Sequence, residues 1–249
     1  MTALSINRLA LTLGESEVLR DISLRVKAGE FVSILGPSGC GKSTLFRLLI
    51  GELRPDQGSI VLEGDAPRDQ GAAFAFMPQR DALLPWRRII DNITLGLEVQ
   101  GVTRAEARDL AAPLIPEFGL AGFEQYYPSQ LSGGMRQRAA LLRTVLQGRP
   151  IQLLDEPFGA LDALTRAELQ RWLERRWRAS GWTSLLVTHD VREAVALSDR
   201  IYVFSARPAT VLREIAVDAP RPRLGRPLPR AARDVEAALL DTLLSPNGD

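Results

Sequence analysis

The chain has 249 residues, of which 45% are hydrophobic and 24% charged, and this ordinary globular composition excludes disordered, collagen-like and disulfide-stapled classes of protein. Its formal net charge of +1 predicts no overall field that recruits nucleic acid or an acidic membrane. The single cysteine, Cys40, has no partner for an internal disulfide, which favours a reducing compartment. The first residues do not resemble a signal peptide, and no apolar stretch approaches the roughly 18 residues of a membrane span. We therefore expect any membrane role to depend on a partner.

Short apolar or alternating segments predict strands along most of the chain. The predicted strands are Ile6–Leu13, Val18–Val26, Phe31–Leu35, Ile60–Glu63, Ala73–Met77, Ile151–Leu154, Ser184–Thr188 and Ile201–Phe204. The predicted helices are Gly41–Ile50, Thr103–Phe118, Ser132–Gln147, Ala163–Ala179 and Asp190–Ser198. Because strands and helices alternate, the pattern favours an α/β core with a mostly parallel sheet.

Two parts of the chain depart from this alternation. Residues 79–147 show helical patterns and no clear strand, which predicts a helical subdomain inserted into the core. From Asp218 the sequence is rich in proline and arginine, which predicts an extended linker. A short amphipathic helix follows over about Ala231–Leu244, and we expect its apolar face, which includes Leu239, to pack back on the core.

A glycine-rich turn between a predicted strand and a predicted helix fits the pattern G-x-x-x-x-G-K-[ST]. Glycines allow consecutive backbone N–H groups to point at an anion, and the helix N-terminus adds partial positive charge. We expect Lys42 to reach the β- and γ-phosphates of a nucleotide and the Ser43 hydroxyl to bind Mg²⁺. The residues predicted to contact the nucleotide in this loop are Gly36, Pro37, Ser38, Gly39, Cys40, Gly41, Lys42, Ser43 and Thr44.

The apolar run Ile151–Leu154 ends in Asp155 and Glu156, which places two carboxylates at the carboxyl edge of the predicted sheet. We expect Asp155 to bind Mg²⁺ beside Ser43 and Glu156 to polarise the water that attacks the γ-phosphate. Gln152 interrupts the apolar run, and we expect it to bond the backbone or to lie near a sheet edge.

The segment Leu131–Arg138, Leu-Ser-Gly-Gly-Met-Arg-Gln-Arg, resembles the signature motif of ATP-binding-cassette (ABC) ATPases. From the residues alone, Ser132 is a suitable cap for a helix whose first turn, Gly133 and Gly134, offers free N–H groups to an anion. The resemblance covers the chain up to about residue 215. We therefore expect an ABC ATPase domain over 1–215 and a tail over 216–249.

The resemblance implies a P-loop NTPase fold with a mostly parallel sheet, an antiparallel β subdomain and an inserted helical subdomain. It also implies roles for three further residues. Gln79 matches the glutamine that contacts Mg²⁺ and the attacking water, and His189 matches the histidine that hydrogen-bonds the γ-phosphate. Asp162 matches an aspartate that acts across the subunit interface.

In this family two cassettes pair head to tail, so that each ATP lies between the P-loop of one copy and the signature of the other. The resemblance therefore implies ATP and Mg²⁺ as cofactors and a homodimer as the working state. It further implies integral membrane permease subunits, an extracytoplasmic solute-binding protein as an indirect partner, and a peripheral position on the cytoplasmic face of the inner membrane. Nucleic acid is not an expected partner.

Two features refine the resemblance. The family usually stacks an aromatic residue on adenine near the second strand, but Leu9–Gly14 contains none, so we expect only a weak preference for ATP over GTP. The segment Arg80–Arg87, with Leu83, Leu84 and Trp86, predicts an apolar patch for a partner. This segment, the following Asp91-Asn-Ile and the later Ala206-Arg-Pro-Ala resemble the corresponding segments of importers of nitrate, sulfonates, taurine or pyrimidine precursors of thiamine.

Two other functional classes remain as alternatives. A soluble ABC ATPase acting on DNA or ribosomes usually carries a long coiled-coil insertion or two cassettes, and this chain has neither. A GTPase of the common kind needs an Asn-Lys-x-Asp motif, and neither Lys27 nor Lys42 lies in one. The arginine-rich segment Arg171–Arg178 is interpreted as a solvated helix face.

Overall fold

The computed structural model describes residues 2–62, 70–225 and 227–244. Within these ranges the strands are β1 (Thr2–Leu13), β2 (Ser16–Lys27), β3 (Phe31–Leu35), β4 (Gln57–Leu62), β5 (Phe74–Met77), β6 (Ile151–Asp155), β7 (Thr183–Val187), β8 (Arg200–Phe204) and β9 (Val211–Ala216). The helices are α1 (Lys42–Leu49), α2 (Gln70–Ala73), α3 (Ile89–Ile93), α4 (Leu95–Val99), α5 (Arg104–Ala111), α6 (Leu114–Glu117), α7 (Gly133–Leu146), α8 (Ala163–Ser180), α9 (Val191–Leu197) and α10 (Arg230–Leu244). A 3₁₀ turn covers Pro128–Gln130.

The main sheet has six strands in the order β5-β6-β7-β3-β8-β9. The first five are parallel, and β9 pairs with β8 in the antiparallel sense. Strands β3, β6 and β7 are buried along their whole length, as expected for strands covered on both faces. The predicted mostly parallel α/β core is confirmed, and the carboxyl ends of β6, β7 and β3 lie side by side at one edge.

A separate antiparallel sheet has the order β2-β1-β4. Its apolar face packs over α1 in a core cluster that includes Leu4, Ile22 and Phe46. This sheet confirms the antiparallel β subdomain. Strand β4 begins at Gln57, three residues before the predicted strand, whose last residue, Glu63, lies outside the described residues.

The described residues between 79 and 147 form helices α3–α7 and the 3₁₀ turn, without a strand, as the sequence predicts. Helix α5 begins with a capping box, in which Thr103 and Glu106 bond each other's backbone N–H groups. The single helix predicted over Thr103–Phe118 is wrong, because α5 ends at Ala111 and α6 starts at Leu114. Pro113 lies between them and has no N–H to continue the helical hydrogen-bond ladder.

The described residues between β9 and α10 form no helix or strand, as expected for the predicted linker, but the segment after Asp218 is anchored to the core. Arg223 is 3% exposed and donates to the backbone carbonyls of Val195 (3.0 Å) and Val217 (2.8 Å), among others. Arg221 bonds the Asp199 carboxylate at 2.8 Å and lies 4.5 Å from the ring centre of Trp177. These arginines use their several donors to hold the chain against the core.

Helix α10 then packs against β8 and α9 through its apolar face, which is the arrangement the sequence predicts. Leu239 is fully buried, and Val235 and Leu243 pack partly buried beside it. Arg192 of α9 and Glu236 of α10 form an ion pair at 3.0 Å. Among the described helices, none has the length and apolar character needed to span a bilayer.

Candidate nucleotide site

The glycine-rich turn joins β3 to α1 and is packed tightly against its neighbours. A Cβ atom on Gly36 would lie 2.9 Å from the carbonyl oxygen of Phe204. Gly41 has φ +129°, and a Cβ there would lie 2.9 Å from Leu19 Cδ2. Glycine is therefore required at Gly36 because a side chain would clash with backbone, and at Gly41 because of its backbone conformation.

A cavity of about 140 Å³ opens at the N-terminus of α1, and we call it the P-loop cavity. Within the described part of the chain no side chain caps this helix, so its first backbone N–H groups remain available to an anion. The cavity is lined by Ser38, Gly39, Gly41, Lys42, Ser43, Thr44, Gln79, Glu156 and Arg207. It therefore brings residues of the loop together with residues from the ends of β5, β6 and β8.

Lys42 is the buried cation of the loop, with 5% of the residue exposed. Its Nζ donates to the carbonyl oxygens of Gly36 (2.7 Å) and Pro37 (2.8 Å) and lies 3.9 Å from the buried Cys40 Sγ. The ammonium group is therefore solvated by the loop's own backbone. Gly36, Pro37 and Cys40 belong to the loop but do not line the cavity.

Asp155 ends β6 beneath the P-loop and is 2% exposed. Burial raises its pKa to about 6, and the nearby Glu156 carboxylate adds to this effect, whereas a hydrogen bond with Ser43 and the charge of Lys42 oppose it. The Oδ1 atom of Asp155 is buried and has no hydrogen-bond partner among the described residues. A buried carboxylate oxygen left in this state is suited to bind a cation.

Glu156 follows Asp155, and its side chain points toward the end of the adjacent strand, β7. Its φ of +49° lies in the left-handed region, which is strained for a non-glycine residue. Its Oε2 lies 3.4 Å from Nδ1 of His189, which follows β7. The Nε2 of Gln137, a buried residue of α7, donates to the carbonyl oxygens of Glu156 and Pro157 at 3.2 Å each. The strained backbone is thus held by a helix of the 79–147 region.

The other residues predicted for the site lie elsewhere on the chain's surface. Ser132 caps α7 by accepting from the Met135 N–H at 3.2 Å, as predicted, and the helix starts with the exposed Gly133 and the half-buried Gly134. Asp162 caps α8 by accepting from the Leu164 and Thr165 N–H groups, and these bonds lower its pKa. None of Ser132, Gly133, Gly134 and Asp162 lines the P-loop cavity.

Sequence reasoning missed three residues at or near the cavity. Gln137 stands inside the signature segment, so the motif itself carried a signal. Arg207 was noticed only as part of an Ala-Arg-Pro-Ala resemblance, and it lines the cavity. Glu193 lies buried behind His189, where it accepts a hydrogen bond from Thr188, and no sequence pattern pointed to it.

Gln152, the polar interruption of β6, is fully buried, and its Nε2 donates to the Arg149 carbonyl oxygen at 2.7 Å. The predicted backbone partner is therefore present. Strand β6 also lies directly beside the edge strand β5.

The chain matches the family model described as "ABC transporter" over residues 19–159. It is 47% identical over 202 residues to the formylaminopyrimidine import ATP-binding protein ThiZ of Halalkalibacterium halodurans, which covers 81% of this chain and 79% of the relative. It is 45% identical over 247 residues to the aliphatic sulfonates import ATP-binding protein SsuB of Pseudomonas entomophila, covering 98% and 87%. These relatives favour transport over the nucleic-acid alternative.

Solved structures of ABC cassettes are also similar to this chain. The ATP-binding cassette MJ0796, in a dimeric post-hydrolysis state bound to ADP and Pi, superposes with a TM-score of 0.76 at 29% identity, covering 87% of this chain and 99% of that one. A second dimeric structure of the same bacterial ABC transporter cassette gives 0.77 at 29% identity, again covering 87% and 99%. The chain therefore belongs to the ABC transporter family, as an ATP-binding subunit that hydrolyses ATP.

Proposed function

We propose that this chain drives an importer, taking up a small solute through a separate membrane subunit. The proposed solutes are nitrate, a sulfonate, taurine or a pyrimidine precursor of thiamine. Two relatives are named as import ATP-binding proteins, one for aliphatic sulfonates and one for formylaminopyrimidine. These names support the proposed range of solutes. The proposed location is the cytoplasmic face of the inner membrane, and an extracytoplasmic solute-binding protein would deliver the solute to the membrane subunit.

The observation that carries the proposal is the convergence of separate motifs on the P-loop cavity. In the proposed complex the polyphosphate of ATP occupies this cavity and accepts from the backbone N–H groups of Gly41–Thr44. Lys42 exchanges its bonds to the Gly36 and Pro37 carbonyls for bonds to the β- and γ-phosphates. This exchange costs little, because the ammonium group keeps oxygen partners before and after the nucleotide binds.

The proposed Mg²⁺ ligands are Asp155, Ser43 and Gln79. The orphaned Oδ1 of Asp155 and the Ser43 hydroxyl beside it fit a hard cation, which prefers oxygen ligands. The described residues hold no cluster of three or more His, Cys, Asp or Glu side chains that suits a metal. Mg²⁺ takes few protein ligands and completes its shell with phosphate oxygens and water. When bound, Mg²⁺ neutralises phosphate charge.

Glu156 is the proposed general base. It lines the P-loop cavity, and Gln137 and the neighbouring strand end fix its backbone. Glu156 would accept a proton from the water that attacks the γ-phosphorus, while Gln79 orients that water and His189 donates a hydrogen bond to the γ-phosphate. His189 is exposed in the single chain and does not line the cavity, but its Nδ1 lies 3.4 Å from Oε2 of Glu156, which does.

The site is proposed to be completed by a second copy of the chain. Gly133 and Gly134 start a 14-residue helix that Ser132 caps, and none of the three lines its own chain's cavity. A partner's γ-phosphate would bind at this helix start. Asp162 would act across the same interface. The dimeric states of the similar cassette MJ0796 support this arrangement.

We propose that residues 80–88, which we call the docking loop, bind a cytoplasmic helix of the membrane subunit. Trp86 is 72% exposed, whereas Leu83 is 8% exposed and packs in the core, so the docking surface rests on Trp86 and the half-buried Leu84. The buried Asn92 holds the loop by accepting from the Leu84 N–H and donating to the Leu84 and Arg87 carbonyls. A rigidly held exposed tryptophan is typical of an interface anchor.

We also propose that the chain divides into an ATPase domain and a tail, with the bounds expected from the sequence. Residues 1–215 form the ATPase domain, with the helical subdomain over about 79–147 carrying both the docking loop and the signature segment. Residues 216–249 form the tail.

Co-expression with candidate membrane subunits of an importer from the same organism tests the proposal. We expect detergent extraction to recover a complex with two copies of the chain, and vesicles containing it to hydrolyse ATP. Lys42→Ala should abolish hydrolysis, whereas Lys27→Ala, which changes the chain's other lysine, should not. Failure to associate with any membrane subunit would contradict the importer role.

Growth of the deletion strain identifies the solute. Nitrate, aliphatic sulfonates, taurine and thiamine precursors should be supplied one at a time as the required nutrient. Loss of growth on one of them assigns the solute class, and undiminished growth on all of them contradicts the proposed range.

A further inference from the structure

We propose that Arg207 is a further nucleotide-binding residue, whose guanidinium group contacts the polyphosphate of ATP in the P-loop cavity. This inference rests on the proposed placement of ATP in that cavity. The residue lies in the turn between β8 and β9, outside every motif that the sequence analysis assigned to nucleotide binding.

The guanidinium group of Arg207 lies directly on the P-loop. Its Nη2 donates to the carbonyl oxygen of Gly39 at 2.8 Å, and the side chain lines the same cavity as Ser38, Lys42 and Thr44. A guanidinium group carries five N–H donors, and this contact uses one of them. Donors therefore remain for an anion that enters the cavity.

The turn that carries Arg207 is fixed on two sides. The Ser205 hydroxyl accepts from the Thr210 N–H at 2.9 Å and donates to the Pro208 carbonyl at 3.2 Å. Ala209 bonds β2 in both directions, donating to the Val18 carbonyl and accepting from the Arg20 N–H, each at 2.9 Å. Because the backbone is anchored, the arginine is delivered to the cavity at a low cost in chain entropy.

The charges around the cavity explain why a second cation matters. Of its lining residues, Lys42 and Arg207 are cations and Glu156 is an anion. A bound nucleotide adds several negative charges, which one lysine and a helix N-terminus only partly balance. Arginine suits this position because its planar fork matches phosphate oxygens.

The position of Arg207 favours phosphate over the base as its ligand. The other residues that line the cavity are P-loop residues, Gln79 and Glu156. All of these are proposed to act on the phosphates. Leu13, at the place where the family usually stacks an aromatic residue on adenine, does not line the cavity. We therefore assign Arg207 to the polyphosphate.

Equilibrium binding of ATP, ADP and adenosine to the purified full chain tests this assignment. We expect Arg207→Gln to raise the Kd of ATP and of ADP about tenfold, which is the effect of losing one charge-assisted bond. It should leave the Kd of adenosine unchanged and reduce the dependence of ATP affinity on salt. Arg207→Lys, which keeps the charge, should recover much of the affinity.

The matched control is Arg213→Gln, which removes the same charge from β9, where Arg213 bonds Thr242 at 3.2 Å. It should leave all three Kd values unchanged. Thermal denaturation without nucleotide reports whether Arg207 merely supports the loop through Gly39. A lowered midpoint in Arg207→Gln with ATP affinity within twofold of the parent overturns the proposal. So does an equal loss of affinity for adenosine.

Lys42→Ala separates this inference from the proposed function. If Lys42→Ala leaves the Kd of ATP unchanged, the P-loop cavity is not the nucleotide site and both statements are wrong. If Lys42→Ala weakens ATP binding and Arg207→Gln does not, only the assignment of Arg207 is wrong.

Discussion

The imidazole Nδ1 of His189 lies 3.4 Å from the carboxylate Oε2 of Glu156, although 33 residues separate them in the sequence. The contact follows from the pairing of two parallel strands, because Asp155 at the end of β6 lies opposite Val187 at the end of β7. Glu156, which follows β6, and His189, which lies two residues after β7, are therefore close together in space. In the proposed mechanism the base, Glu156, and the hydrogen-bond donor, His189, therefore come from adjacent strand ends.

We expect Glu156→Gln to lower the rate of ATP hydrolysis by a factor on the order of 10²–10⁴, because the amide cannot accept the proton of the attacking water. ATP should still bind, since the P-loop is unchanged. Phosphate release and equilibrium ATP binding measure the two effects. Glu168→Gln, at an exposed position of α8, is the control and should hydrolyse ATP at the parent rate. Unchanged hydrolysis in Glu156→Gln would remove Glu156 from the role of base.

Much of this fold is predictable because its strands are short, apolar and separated by amphipathic helices. Strand β9 was missed because Val211–Ala216 is an edge strand with mostly exposed residues, and it carries no continuous apolar signal. The anchoring of the segment before α10 was not predicted, because proline and arginine favour extended, solvated chain on average. Here the guanidinium groups of Arg221 and Arg223 bond a carboxylate and backbone carbonyls of segments more than 20 positions away in the sequence.

The site was predictable where a motif ties residue type to local geometry, as in the P-loop and the Asp155–Glu156 pair. It was not predictable where partners come from distant segments. Arg207 reaches Gly39 across 168 positions of sequence, and Gln137 reaches Glu156 from a helix of another region. A local sequence pattern does not specify such tertiary contacts, so they can be identified only in the folded structure.

We expect the stability of the protein to fall between about pH 4.5 and pH 7 in part because of Glu193. Burial raises the pKa of Glu193 to about 7, and the Asp190 carboxylate adds to this effect, while bonds from Thr188 and Gln170 and the charge of Arg166 oppose it. A carboxyl whose folded pKa lies above its unfolded value binds more protons when folded. Its stabilising contribution is therefore present below the unfolded pKa and is lost as pH rises through the folded pKa.

Urea unfolding of the parent and of Glu193→Gln at pH 5 and pH 8 measures this effect. Between pH 5 and pH 8 the free energy of unfolding of the parent should fall by on the order of 2 kcal/mol more than that of the variant. Glu168→Gln removes an exposed carboxyl instead and should keep the parent's pH dependence. Identical pH profiles for the parent and Glu193→Gln would show that Glu193 does not titrate in this range.

We expect an aromatic residue at Leu13 to strengthen nucleotide binding. Leu13 is 39% exposed at the turn between β1 and β2, where the resemblance places adenine. Stacking on a base is worth about 1–3 kcal/mol, so Leu13→Tyr should lower the Kd of ATP by roughly 5- to 150-fold. The exposed Leu110→Tyr of α5 should have no effect. A Kd unchanged in Leu13→Tyr would place the base elsewhere.

We expect Trp86→Ala to uncouple the chain from its membrane subunit. The indole is 72% exposed, so the variant should fold and retain the basal ATP hydrolysis of the isolated chain. Loss of an interface anchor of this kind costs about 2 kcal/mol or more, which corresponds to a 30-fold or greater weakening of assembly. Co-purification with the membrane subunit and solute-stimulated hydrolysis in vesicles measure the loss.

Leu240→Ala, at an exposed position of α10, is the control for Trp86→Ala and should assemble normally. The physical reason is that α10 packs on α9 and β8, on elements other than those that hold the docking loop. If Trp86→Ala assembles and transports like the parent, the docking loop is not the contact with the membrane subunit. If Leu240→Ala instead disrupts assembly, the tail helix is the contact.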